Sequence, residues 1–169
     1  MIFGAPDPDP IDRQSPIHVA VAANKPTIVK KMVDQINRID RFGWTPLYRA
    51  VHDRNITMTR LLLSMGADPD IPNSRYGPCC WTPLYLAVYN GDLVIAEMLL
   101  RANGSTHKLA NIPDGLGLTP LHRALYSKNY DMVALLLKYG ANPHLSFKNE
   151  LTPFQIGLTE LNASKPARF

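Results

Sequence analysis

A chain of 169 residues with 46% apolar and 19% charged residues has the composition of a folded domain, and its net charge of +4 does not single out a polyanionic partner. No apolar run approaches the length of a membrane span, and the first ten residues carry Asp7 and Asp9 in place of a basic start, so the sequence predicts neither a membrane protein nor a common export signal. The only cysteines, Cys79 and Cys80, are adjacent, which predicts no disulfide framework and a reducing, cytoplasmic compartment.

Residues 1–11 are rich in proline and aspartate, and we expect an irregular segment whose Ile2 and Phe3 cover the structure that follows. A six-residue phrase then appears five times, as SPIHVA, TPLYRA, TPLYLA, TPLHRA and TPFQIG. The copies begin at Ser15, Thr45, Thr82, Thr119 and Thr152, which are 30, 37, 37 and 33 positions apart. Self-similarity near 33 residues is typical of a solenoid of stacked helical units.

Each copy of the phrase predicts the start of a helix. A Ser or Thr side chain can accept a hydrogen bond from a free N–H group of the first turn, and proline suits the first helical position. Two positions of the phrase then fall on one face of the helix. We expect large apolar side chains of the core at one of them and small side chains that admit a neighbouring helix at the other: Leu47, Leu84 and Leu121, with Ala50, Ala87 and Ala124.

The phrase and its period resemble the ankyrin repeat, whose T-P-L-H-x-A signature opens the first of two antiparallel helices. The resemblance covers about residues 12–161 and implies an all-α solenoid of stacked helix pairs with β-hairpin fingers. It places four full units and one capping half-unit, and it leaves residues 162–169 as a tail. The units begin near residues 12, 40, 77, 114 and 147.

The second helix of each pair follows from apolar residues at helical spacing. We expect it at about Pro26 to Gln35 in the first unit and about Thr57 to Met65 in the second. Gly66 is suited to end the latter in the left-handed conformation, and a proline follows it closely. The same ending recurs at Gly140 and, in a weaker form, at residues 103–104.

Two connections are longer than the family period. We expect the extra residues within Asn73 to Cys80 and somewhere within Ser105 to Gly117, as elongated fingers on one face of the stack. The last unit has a first helix at about Thr152 to Leu161 and no room for a second one. That helix either caps the array or marks a piece of a longer protein.

Histidine occupies the fourth place of the phrase at His18 and His122, where the resemblance implies hydrogen bonds that tie the helix start to a neighbouring loop. Other copies carry tyrosine or glutamine there, which favours a structural role over catalysis. His52 and Asp53 might suggest an acid–base pair, but adjacent helical side chains diverge by about 100°. No nucleophile is fixed beside them by the sequence, so we predict no active site.

Metal, cofactor and nucleic-acid sites are not favoured. Adjacent thiolates at Cys79 and Cys80 seldom reach one tetrahedral ion, even with His107 or His144 as further ligands. No phosphate-binding loop of the G-x-x-x-x-G-K type is present, so no cofactor is indicated. Basic residues cluster in the first unit and could attract an acidic partner or a phosphate backbone, although a solvated helix face explains most of them: Lys25, Lys30, Lys31, Arg38 and Arg41. No basic stripe interleaved with aromatic residues runs through the later units, so nucleic acid is not favoured.

The resemblance implies a concave groove lined by finger residues and by the ends of the first helices. Carried over by register, it indicates candidate partner-binding residues, and aromatic residues and arginine commonly dominate such interfaces. On the fingers these are Arg41, Phe42, Trp44, Arg75, Tyr76, Trp81, Leu116 and Lys148. At the helix ends they are His52, Asp53, Tyr89, Asn90, Tyr126 and Ser127. The two tryptophans suit scaffold packing and partner contact equally, whereas the tyrosines favour contact.

From these residues we predict a monomeric, non-catalytic module that holds a partner protein or peptide in the groove. Two alternatives stay open. One is an effector that a pathogen delivers into host cells, and the other is a regulatory or scaffold part of a larger protein. The sequence does not identify the partner.

Overall fold

The computed structural model describes residues 15–73, 80–102, 108–146 and 151–163, with side chains of the last helix described through residue 159. The irregular segment expected at residues 1–11, the ending at 103–104 and residues 164–169 of the expected tail therefore lie outside the described residues, whereas residues 162–163 belong to the last helix. Two short 3-10 helices occur within these ranges, Val33–Gln35 and Leu109–Asn111. The α-helices are α1 (Pro16–Ala22), α2 (Pro26–Val29), α3 (Pro46–His52), α4 (Ile56–Ser64), α5 (Pro83–Asn90), α6 (Leu93–Arg101), α7 (Pro120–Tyr126), α8 (Tyr130–Lys138) and α9 (Pro153–Ala163).

The helices form two layers, which confirms the all-α solenoid. The inner helices α1, α3, α5, α7 and α9 pack side by side in chain order, and the outer helices α4, α6 and α8 do the same behind them. Each unit pairs an inner helix with the outer helix that follows it. In the described ranges no residue lies in a strand, and the fingers at residues 40–44 and 114–118 are tight turns. One finger is closed by the Asp40 N–H, which donates to the Trp44 carbonyl at 2.9 Å.

The helix starts form as the phrase predicts wherever it begins with threonine. The Thr45 and Thr82 hydroxyls each accept from a backbone N–H three residues ahead at 3.1 Å. Thr119 does so within a reciprocal arrangement in which its own N–H donates to Nδ1 of His122. Ser15 differs, because its hydroxyl contacts the His18 ring and caps no backbone group.

In three of the units the fourth residue of the phrase ties the helix start to the next finger, as predicted for the two histidines. Nε2 of His18 donates to the Trp44 carbonyl at 2.9 Å, and Nε2 of His122 donates to the Leu151 carbonyl at 3.0 Å. Tyr48 performs the same task with its hydroxyl. Burial raises the pKa of Tyr48, and the hydrogen bond to Asn73 opposes that rise.

The interior of the array is a continuous strip built from equivalent positions of successive units. Leu47, Leu84 and Leu121 are buried in the inner helices, as predicted. The alanines three residues further on have no exposed surface, which allows the inner helices to approach closely. The outer helices contribute residues such as Met58, Ile95 and Met132 to the same core.

The second helix of the first unit is shorter than predicted. The α-helix ends at Val29, and Val33–Gln35 is a separate 3-10 turn, so the expected continuous helix from Pro26 to Gln35 is wrong. Of the four residues in α2 only Val29 is buried, whereas Ile28 and Val33 are exposed. Short helices depend on tertiary packing, and this segment makes too little of it to extend further.

The two longer connections differ in where their extra residues lie. The Asn73 N–H donates to the Trp81 carbonyl at 2.9 Å, so the first insertion lengthens a finger as expected. The finger closed by Asp114 and Leu118 has the same length as the one closed by Asp40 and Trp44. The extra residues of the second connection therefore precede Leu109, and the expectation of an elongated finger there is wrong. Leu109 itself is buried in the core.

Left-handed residues end the helices at repeating positions. Gly66 and Gly140 have φ of 87° and 83°, which confirms their predicted role after the outer helices. The inner helices end in the same way, at Arg54 (φ 54°), Gly91 (φ 74°) and Lys128 (φ 55°). In the part of the chain that the structure describes, no helix has the length and apolar content to cross a bilayer.

Gly91→Ala should lower the free energy of unfolding by about 1 kcal/mol, because alanine resists positive φ. A Cβ atom at Gly91 would meet the Asn129 amide at 3.6 Å, an ordinary contact, so the change reports on the backbone. Gly157 is helical with nothing within 4 Å of a Cβ atom, and Gly157→Ala should raise stability by about 0.5 to 1 kcal/mol. Urea unfolding followed by circular dichroism measures both. If both substitutions changed the free energy of unfolding in the same direction, backbone conformation would not explain their effects.

Candidate functional site

The finger of the second unit carries an aromatic cluster that leans on the inner helix behind it. The Trp44 ring lies 4.7 Å from the His52 ring, 5.4 Å from Tyr48 and 6.2 Å from Phe42, measured between centroids. The Arg41 guanidinium stands 4.8 Å from the centre of the Phe42 ring. Only 5% of Trp44 is exposed, so this tryptophan acts mainly in packing the finger on the helix.

The third unit repeats the cluster with more of it exposed. The Trp81 ring lies 5.1 Å from Tyr85 and 4.8 Å from Tyr89. Trp81 is half-buried, and 46% of Tyr89 is exposed. From the next unit, the Arg123 guanidinium carbon stands 4.3 Å from the centre of the Tyr89 ring. Tyr89 is therefore held between its own finger and the following helix while presenting an open edge.

Exposed tyrosines continue into the fourth unit. Tyr126 occupies on α7 the place that Tyr89 has on α5, and its exposed fraction is also 46%. Ser127 beside it is exposed, and its hydroxyl donates to the Ala124 carbonyl. Leu116 is exposed at the tip of the neighbouring finger. Asn90 is half-buried. The predicted groove positions of the third and fourth units thus offer a surface rich in aromatic groups.

In the second unit the polar side chains at the end of α3 pair with one another. Nε of Arg49 donates to Oδ2 of Asp53 at 2.7 Å, and Nδ1 of His52 lies 3.1 Å from Oδ1 of Asp53. Partial burial favours a raised pKa of Asp53, but the hydrogen bonds from His52 and Arg49 outweigh burial and lower the pKa below its ordinary value. Asp53 is therefore ionised at neutral pH and neutralises Arg49.

Three predicted site residues lie outside the described residues: Arg75, Tyr76 and Lys148. Two residues that contact the groove were not predicted from the sequence. The structure adds Arg49 and Arg123, both in contact with groove aromatic rings. The sequence signal for them was the arginine that TPLYRA and TPLHRA share at one position of the phrase.

Metal-binding side chains do not come together in the described ranges, where no three of His, Cys, Asp and Glu could hold an ion. Cys80 is a free, half-buried thiol, and Cys79 lies outside the described residues. The groups on this surface are suited to non-covalent contacts: they are aromatic faces, hydroxyl groups and guanidinium groups.

Comparison with known families agrees with the repeats and the helix pairs. A family model described as ankyrin repeats (3 copies) matches residues 2–73 and 71–146. The chain belongs to the ankyrin-repeat family. Members of this family generally mediate contacts between proteins, and their repeats typically form non-catalytic interaction modules.

A curated relative adds information on where such chains occur. The ankyrin repeat protein FPV240 of fowlpox virus (strain NVSL) is 36% identical over 73 residues. The match covers 41% of this chain and 18% of the viral protein. This ankyrin-repeat chain is therefore similar to a minor part of a much longer protein.

Proposed function

We propose that this ankyrin-repeat chain is a non-catalytic binding module that holds a partner protein or peptide against its inner helices and fingers. The observation that carries the proposal is the pair of half-exposed tyrosines, Tyr89 and Tyr126, at matching places on consecutive inner helices. Large rigid aromatic side chains bury much area at little entropic cost, which is why they dominate many interfaces. A footprint of about 1,200 to 2,000 Å² in total would be typical.

Tyr89→Ala should weaken binding by about 1 to 4 kcal/mol, which is about fivefold to a thousandfold in Kd. The matched control is Tyr130→Ala, since 62% of Tyr130 is exposed but it lies on the outer helix α8. Partners are first captured from the native cell with the unaltered chain and identified by mass spectrometry. Affinity for each captured protein is then measured by titration calorimetry with both variants.

The two tyrosine variants also separate the two surfaces of the array. Loss with Tyr89→Ala and retention with Tyr130→Ala supports binding at the inner helices. The opposite pattern would move the site to the outer helices and end this proposal. Circular dichroism and thermal unfolding check that both variants stay folded.

We propose as a second candidate that the chain acts on a protein of a host cell, in the host cytoplasm. Its support is the similarity to an ankyrin repeat protein of fowlpox virus. Delivery of the tagged chain in infected cells, followed by crosslinking and capture, tests this idea. Recovery of partners from the pathogen alone, with no host protein among them, would exclude it.

A further inference from the structure

Arg123 is a cation that the described residues leave without a carboxylate partner. Its guanidinium carbon stands over the exposed Tyr89 ring, and it belongs to the helix that follows Tyr89 in the stack. Its Nε atom is buried and has no hydrogen-bond acceptor within the described ranges. Arg123 as a whole is half-buried, so part of its surface is open to a partner.

The same arginine position in the second unit is satisfied within the chain. Arg49 occupies the place in TPLYRA that Arg123 has in TPLHRA, and the Asp53 carboxylate, four residues later, accepts its Nε–H at 2.7 Å. Four residues after Arg123 the chain has Ser127, whose hydroxyl donates to the Ala124 carbonyl. The fourth unit therefore keeps the arginine and has a serine in place of the aspartate that pairs with it in the second unit.

We propose that the partner supplies the missing carboxylate, so that an Asp or Glu side chain of the bound protein or peptide pairs with Arg123. This inference rests on the proposed binding at the inner helices. The guanidinium is already oriented by Tyr89, so pairing does not require ordering a long flexible side chain. A carboxylate would pair with the part of the guanidinium that is open to a partner, and charge-assisted hydrogen bonds of this kind are strong.

An acidic protein segment fits this site better than a nucleic acid. The surroundings of Arg123 are aromatic, with Tyr89 on the groove surface and Trp81 packed on Tyr89. A phosphate backbone is bound by a row of cations, whereas the equivalent Arg49 is already neutralised by Asp53. The cluster of Lys25, Lys30 and Lys31 lies in the first unit, where it flanks α2, and not beside Arg123.

The test uses random short peptides displayed on phage and selected on the full chain. We expect the selected peptides to carry Asp or Glu at one shared position. A synthetic peptide of this kind should bind Arg123→Gln about tenfold more weakly than the unaltered chain. Replacing its acidic residue by the corresponding amide should weaken binding to the unaltered chain to a similar extent and have little further effect on Arg123→Gln.

Three further variants sharpen the comparison. Arg101→Gln removes an exposed arginine of the outer helix α6, and we expect no change in affinity. Arg123→Lys keeps the positive charge but lacks the planar guanidinium group, so it should bind the acidic peptide more weakly than the unaltered chain does. This variant keeps the test decisive if Arg123→Gln disturbs packing on Tyr89. Arg123→Glu should bind the same peptide with Lys in place of its acidic residue.

The outcomes separate this inference from the proposed function. If acidic peptides are not selected, or bind Arg123→Gln as tightly as the unaltered chain, the carboxylate assignment is overturned. Binding at the inner helices then still stands if Tyr89→Ala weakens the selected peptides, and fails if it does not. A single-stranded oligonucleotide that binds the chain through Arg123 more tightly than the peptides do would overturn the assignment in favour of a nucleic-acid site.

Discussion

Leu84→Ala is expected to lower the free energy of unfolding by about 2 to 5 kcal/mol. Leu84 has no exposed surface and lies on α5, which packs against α3 on one side and α7 on the other. The substitution leaves a cavity in the strip of core that joins three units. Whole domains are commonly stable by only about 5 to 15 kcal/mol, so this one change removes a large part of the total.

Urea unfolding followed by circular dichroism measures the effect of Leu84→Ala. The control is Leu137→Ala, because Leu137 is the same residue type and also lies in an α-helix of the array, but it is exposed on the outer helix α8. We expect its effect to stay within about 0.5 kcal/mol. Similar losses at the two leucines would show that burial in the shared core is not what makes Leu84 important.

His122→Phe is expected to cost about 2 to 4 kcal/mol, although it replaces one ring by another in a fully buried place. The imidazole accepts from the Thr119 N–H at Nδ1 and donates from Nε2 to the Leu151 carbonyl. Phenylalanine can do neither. Both backbone groups lose their partner, and the tie between α7 and the next finger is broken.

The chain itself suggests the control for His122. At the same place of the last unit Gln155 accepts from the Thr152 N–H through its amide oxygen at 2.8 Å. His122→Gln therefore keeps an acceptor for the Thr119 N–H and should lose no more than about half as much stability as His122→Phe. Thermal and urea unfolding of the two variants compare these losses. Equal losses would mean that ring packing, and not hydrogen bonding, is what His122 provides.

Much of the fold could be predicted because its rules are local and repeat along the chain. The capping threonine, the proline after it and the buried leucine of TPLYRA, TPLYLA and TPLHRA all lie within one turn of each other. Each copy therefore specifies its own helix start without information from the rest of the molecule. The period then gives the stacking, since a pair of short helices cannot bury its apolar face alone.

The candidate site could be predicted only in outline. Register placed Trp44 and Trp81 at equivalent positions, yet Trp44 is almost fully buried and Trp81 only half-buried. The repeat register also predicted Tyr89 as a site residue. It did not predict Arg123, whose guanidinium group contacts the Tyr89 ring from the next unit. Such contacts join residues about one repeat apart, and a repeat pattern gives the position of each residue but not how much its neighbour covers it.

The sequence by itself determined the helix pairs and the buried leucines, and its resemblance to the ankyrin repeat implied the hydrogen-bonding role of His18 and His122. Only the tertiary structure decided that α2 stops at Val29 and that the second insertion precedes Leu109. It also decided that Arg123, unlike Arg49, has no carboxylate partner among the residues that the structure describes. The division has one physical cause. Caps and hydrophobic periodicity act within a few residues, whereas burial, helix length in a weakly packed unit and ion pairing depend on which side chains the adjacent unit brings close.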